Sequence, residues 1–381
     1  MNKKLSIFLK TSALIYILIA WTFAGCTGQE LHQSFNIYSI KTRKDQPSIL
    51  PDWQDGNYHD YYKTRDMLTE FNDEYPDLVS IFPIGQSVLN RDIWCIRITN
   101  ENNNSKKYSC LYDGCFHGNE WEGGEACLYF AEYLLINHGK NATITNLLNK
   151  SEVYIVPIAN PDGRQADRRH NYYGIDSNRN FDVHFGRIGG CSLRVGKWFP
   201  LPFIFIPFPP YVLLKVGRYP FSEPESRAMR DLMKELKYHD FSFYLTLHTA
   251  THCFGCPSDK VIRPEYEITP RELEVLGYAK IWVENNTEYE QAKDDNRYGA
   301  GWSFAYCFKE CHVPSFCLEA LNTDYEPGFT PGGRHDHLVH WMNTTLPVFM
   351  YLLVNIENLH DWEIPDISPS LPEGVPPPPL Q

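Results

Sequence analysis

Short apolar strands alternate with helical segments along this chain, and two His and two Glu stand at or just past the carboxyl ends of those strands. That alternation constrains the fold more than any other feature. DIWCIRIT, KYSCLYDG and EVYIVPIANPDG, which begin at Asp92, Lys107 and Glu152, are rich in β-branched and aromatic residues and close on turn signals. FSFYLTLH from Phe241 and SFCLEAL from Ser315 are short continuous apolar runs, the pattern of strands buried on both faces. Helices are expected over 61–74, over SEPESRAMRDLMKELK from Ser222, and over 335–358. Another follows His117, where Cys127, Phe130, Ala131, Leu134 and Leu135 share one face, and Gly139 is a stop signal. Its regular part is expected to begin near Glu125. The alternation predicts a single α/β domain, a three-layer α/β/α sandwich around a mixed, mostly parallel sheet.

Composition narrows the classes. Hydrophobic residues at 43% and aromatics at 14% suit a globular protein with a sizeable core, and a net charge of −12 argues against a nucleic-acid partner. The chain divides into a leader over 1–26, a linker over 27–52, a domain over 53–360 and a Pro-rich tail over 361–381. The leader joins Lys3, Lys4 and Lys10 to an apolar run from Ser12 to Gly25, the layout of a secretory signal. TFAGCTG at its end resembles a lipobox before Cys26, although Phe23 stands where Leu is usual. A lipid anchor, a signal anchor and plain secretion all remain open, and all three place the domain outside the cytoplasm. Within the domain, about 187–217 is an insertion whose WFPLPFIFIPFPPYVLLKVG is apolar but broken by five Pro. It packs on the surface or touches a membrane or partner.

Ten further Cys fit an oxidising compartment. CFGC at 253–256 and CFKEC at 307–311 suggest disulfides, with a four-Cys zinc site as the alternative, whereas Cys110, Cys127 and Cys317 read as buried thiols. The sequons at Asn103, Asn141, Asn285 and Asn343 are compatible with glycosylation.

Ligands in open α/β sheets bind at the carboxyl ends of strands. His117 and Glu120 follow the strand ending at Asp113, His248 follows FSFYLTL, and Glu319 ends SFCL. An H-x-x-E pair alone carries little weight, but three strands delivering two His and two Glu to one edge suit a catalytic zinc with an open position.

HGNEWEGGE, NPDGRQADRRHNYYGIDSNRNF, LHTATH and FCLEAL occur in this order, and together they resemble the zinc carboxypeptidase family over about 53–358. The resemblance implies one Zn2+ per chain held by His117, Glu120 and His248, with Asp176 bracing His117. It implies Glu319 as general base toward a zinc-activated water, and Arg169, with Arg168 as its rival, polarising the scissile carbonyl. Asn178 and Arg179 would hold the terminal carboxylate of a peptide or protein substrate, and Tyr298 would cap it. Trp302 and Ser303 both stand near the family's specificity position, where neither carries charge, although Asp294 and Asp295 lie close by. Neither an inhibitory pro-domain nor a further β-sandwich domain is expected. An amidase or isopeptidase on the same site is the alternative within enzymes, and an inactive surface binding module is the alternative outside them.

Overall fold

The computed structural model describes residues 58–186, 215–258, 262, 265–292, 300–322 and 335–366, with backbone alone at 250, 251, 321, 322 and 335–343. The leader, the linker, residues 187–214 of the insertion, 293–299 and the tail from 367 lie outside the described residues. Gln46–Gln381 forms one compact unit. No helix among the described residues is long and apolar enough to cross a membrane.

Helix α1 (Tyr61–Glu74) starts at Asp60, whose side chain accepts from the Lys63 N–H, and it buries Met67, Leu68 and Phe71. Strands β1 (Val79–Gln86) and β2 (Asp92–Ile98) form an antiparallel hairpin. Asn90 turns it at φ 58°, a left-handed conformation that Asn tolerates better than most side chains. Strand β3 (Tyr108–Asp113) is followed by α2 (Trp121–Asn137), α3 (Ala142–Lys150), β4 (Ser151–Val156) and the short α4 (Pro161–Gln165). Then come α5 (Pro224–Leu236), β5 (Phe241–Gly255), α6 (Pro270–Asn286) and β6 (Glu290–Gln291). Helix α7 (Ser303–Cys311), β7 (Ser315–Asn322), α8 (His335–Val354) and α9 (Ile356–His360) complete the order.

The sheet runs β1-β2-β4-β3-β5-β6, with β7 also paired to β5. It is antiparallel from β1 to β4 and parallel from β4 through β3 to β5 and β7, as the alternation predicts. Helix α2 packs on β3, β4 and β5 and against α8, while α5 packs on β1 and β3 and against α7. The central strands are accordingly buried almost throughout. Tyr112 of β3 meets Phe130, Phe243 and Phe349 at ring separations of 5.0, 5.5 and 5.0 Å, and its hydroxyl donates to the Phe349 carbonyl.

Two boundaries differ from the sequence reading. Helix α2 begins at Trp121 rather than near Glu125, and the expected 335–358 helix is two segments that meet at Asn355. Strand β5 also runs seven residues past His248, bending where His252 takes φ 50°.

A buried polar tie holds the loop before Asp176. Asn171 Nδ2 donates to Glu223 and Glu225, while the Asn171 side-chain oxygen accepts from the Tyr173 and Ile175 N–H groups. Burial pushes the Glu225 carboxyl up to about 7, against the donors from Asn171 and Val88. The native state therefore keeps a proton that the unfolded chain has already lost, and this group's contribution makes stability fall as pH rises from 4.5 to about 7. Glu225→Gln keeps an acceptor oxygen and cannot ionise. Its melting temperature relative to the parent should rise as pH goes from about 5 to about 8, and a difference independent of pH would contradict the assignment.

Candidate metal centre and substrate site

The turn after β3 is held to the segment after β4 by backbone hydrogen bonds: Gly114 N–H donates to Val156, Ala159 to Gly114 and Asn160 to Cys115. Asn160 Nδ2 adds a bond to the Phe116 carbonyl. His117 leaves this clamped turn, and Glu120 is the residue that starts α2, its N–H returning to the His117 carbonyl at 3.0 Å. Both side chains are buried.

His248 arrives from β5, in parallel register beside Glu319 of β7. Residues paired across a parallel ladder point to the same face, so the half-buried Glu319 projects beside His248. Ligand atoms of His117, Glu120 and His248 lie within 4.8 Å of one another, the one such group of His, Cys, Asp and Glu among the described residues. His117 Nδ1 is 2.6 Å from one Glu120 oxygen, and His248 Nδ1 is 2.8 Å from the other. The two Nδ1 atoms are 3.0 Å apart. Two ring N–H groups that close repel each other, while a cation among two imidazole nitrogens and a carboxylate removes the conflict. The donor set fits zinc, which takes His and carboxylate ligands.

The electrostatics agree. Burial disfavours the Glu120 carboxylate, yet His117 and His248 outweigh it and hold the group below its usual range. Burial likewise works against a charged His117, and Asp176 and Glu120 raise it. Asp176 reaches His117 Nε2 at 3.2 Å, leaving Nδ1 toward the centre. The Thr249 backbone N–H adds a bond to Glu120 at 3.2 Å.

A short 3-10 turn, Ser177–Arg179, lies beside the centre, started by the Asp176 side chain accepting from the Asn178 N–H. Asn178 Nδ2 stands 2.9 Å from His248 Nε2, and its oxygen accepts from the Ser303 N–H at 2.8 Å. Arg179 spends one donor on the Asn178 carbonyl at 2.8 Å and packs over the Trp302 ring at 5.5 Å. Among the described residues no carboxylate pairs with it. Burial lowers the Arg179 pKa and the nearby Asp176 raises it, but a guanidinium stays cationic. Arg169 Nη1 donates to Glu120 at 3.1 Å and Nε to Asp176 at 3.2 Å, while Arg168 is exposed.

The structure thus brings His117, Glu120, His248, Asp176, Asn178, Arg179, Arg169 and Glu319 to one sheet edge. Tyr298, Asp294 and Asp295 lie outside the described residues. The Cys expectation is corrected at CFKEC: Cys307 and Cys311 are thiols, as are Cys95, Cys110, Cys115, Cys127 and Cys317. Cys307 and Cys311 sit four apart on α7, where the helix spacing sets the two Cβ atoms too far apart for a disulfide. Glu122 and Glu125, in the first turns of α2, are both buried: Glu122 accepts from Tyr58 at 3.2 Å, and Glu125 lies 2.7 Å from His59 Nδ1. The Thr249 N–H and Trp302 contacts carried no sequence signal, because both depend on tertiary placement.

Fold and donor set together fit a zinc centre at the edge of an α/β sheet. Residues 64–199 match the family model described as zinc carboxypeptidase. The chain is 26% identical over 216 residues to carboxypeptidase O of Bos taurus, a match covering 53% of each. It is 29% identical over 219 residues to carboxypeptidase D of Anas platyrhynchos, covering 53% of this chain and 16% of the relative. The match therefore spans about half the length of the bovine relative and less of the other. Among solved structures, thrombin activatable fibrinolysis inhibitor superposes with a TM-score of 0.65 at 20% identity, covering 83% of this chain and 77% of that one. Carboxypeptidase A from Helicoverpa armigera gives 0.59 at 21% identity, covering 78% and 74%. The chain resembles the zinc carboxypeptidases in sequence and has their fold.

Proposed function

We propose that this chain is a zinc-dependent carboxypeptidase that hydrolyses the last peptide bond of peptides or proteins. The observation that carries the reading is Arg179. A half-buried guanidinium with free donors and no carboxylate partner among the described residues stands next to the His117–Glu120–His248 centre. A planar fork of that kind suits a terminal carboxylate.

Zinc held by His117, Glu120 and His248 would supply Lewis acidity to the scissile carbonyl and to the attacking water. Glu319 takes the proton from that water and returns it to the leaving amine. Arg169, whose contacts among the described residues are to Glu120 and Asp176, stabilises the oxyanion with its remaining N–H donors. Asn178 and Arg179 fix the substrate's end, which sets the scissile bond over the centre. Asp176 holds the His117 ring in orientation. Tyr298, outside the described residues, is the one the resemblance assigns to capping the bound end. The basic and apolar residues 1–26 support an extracytoplasmic setting, reached by secretion or by a lipid or signal anchor.

A peptide offered as free acid and as C-terminal amide tests the reading. Only the free acid should lose its last residue, and equal hydrolysis of both would favour an amidase or isopeptidase on the same centre.

A further inference from the structure

The residues at the start of α7 are built onto the Asn178–Arg179 pair at three consecutive positions, Gly301 to Ser303. Gly301 takes φ 70°, and a Cβ there would meet the Arg179 carbonyl oxygen at 2.1 Å. Only glycine allows this approach. Its carbonyl accepts from the Phe181 N–H and its N–H donates to Val183, which fixes the crossing of the two segments. Trp302, half-buried, lies over the Arg179 guanidinium at 5.5 Å and stacks on Phe304 at 5.3 Å. Ser303 donates its N–H to the Asn178 amide. Beneath it, Ser303 Oγ is 3.0 Å from the Tyr244 hydroxyl, which donates in turn to the fully buried Asp113.

Resting on the carboxypeptidase reading, we infer that Trp302 is the positioning residue for Arg179. A half-buried cation is usually held by a carboxylate, but a carboxylate would occupy the N–H fork that a substrate's terminus needs. An aromatic face attracts the cation through its π-electrons and leaves the donors in the guanidinium plane free. Trp302 therefore holds the charge in place without competing for it. The Ser303–Tyr244–Asp113 chain fixes where that face stands, since it anchors the first residue of α7 into the sheet.

The test compares the zinc-loaded parent with Trp302→Ala, Trp302→Leu and Trp302→Phe. Turnover of a free-acid peptide is measured, together with calorimetric binding of a free-acid dipeptide and of its C-terminal amide. Trp302→Ala should raise KM and weaken free-acid binding about tenfold, with kcat within about twofold and amide binding unchanged. Trp302→Phe should restore most of the loss, while Trp302→Leu, which fills space without a π face, should behave as Ala. Zinc affinity, read by chelator competition, should not move. Unchanged free-acid binding in Trp302→Ala overturns the role, and so does recovery by Leu equal to that by Phe. A loss of zinc parallel to the loss of binding also overturns it. A parent with no preference for the free acid overturns the carboxypeptidase reading itself, an outcome the parent alone reveals.

Discussion

Glu319→Gln is expected to lower turnover about a thousandfold while leaving zinc bound. Glu319 stands opposite His248 in the β5–β7 ladder and is half-buried, so its carboxylate projects on the face where the candidate zinc ligands converge. Glutamine has the same shape and can still accept a hydrogen bond, but it cannot take a proton from water and pass it to an amine. The loss should therefore fall on kcat, with KM for a free-acid peptide changed little. Chelator competition should return the parent's zinc affinity, because Glu319 is outside the His117–Glu120–His248 group. A variant as active as the parent would remove Glu319 from the chemistry. Parent and variant equally inert across a broad peptide library, with zinc bound in both, would favour a binding module.

His248→Ala is expected to abolish stoichiometric zinc binding, and activity with it. The residue supplies one of two imidazole nitrogens and the contact to the second Glu120 oxygen. A three-ligand centre reduced to two retains little hold on the ion, so its affinity should fall by more than the ~10–100-fold typical of losing an orienting partner. Asp176→Asn is the comparison that gives this meaning. It leaves all three candidate ligands and weakens the bond that orients His117, together with the Asp176 contacts to Arg169 and the Asn178 N–H, so its loss should lie within that ~10–100-fold range. Chelator competition on both variants, with circular dichroism to confirm folding, measures the difference. Zinc affinity in His248→Ala equal to that of Asp176→Asn would argue against His248 as a ligand.

The three clustered candidate ligands were legible because each follows a strand whose apolar run is plain in the sequence. Strand ends in an α/β sheet converge without further information. The start of α2 was not legible, and the reason is physical. Gly123 and Gly124 weaken helix propensity, but Gly124 is required by contact: a Cβ there would approach Cys115 Sγ at 2.9 Å and the Pro157 carbonyl oxygen at 3.0 Å. Packing against the clamped turn overrides the local preference. The cysteines misled for a related reason. CFKEC has a spacing that suggests a disulfide, yet as one face of α7 it buries Cys307 and Cys311 as thiols. Spacing along a chain reports proximity only once the element carrying it is known. Arg179 shows the remaining gap. GIDSNRNF marked it for a carboxylate by resemblance, but its lack of an ion-pair partner among the described residues and its seat on Trp302 follow from tertiary packing.

The most direct test of the central claim follows one peptide over time by mass spectrometry, as free acid and as amide, with zinc-loaded and zinc-stripped protein. Stepwise loss of single residues from the free-acid end, seen only with zinc and absent for the amide, is the predicted result. Cleavage at internal bonds, or equal hydrolysis of the amide, would contradict it.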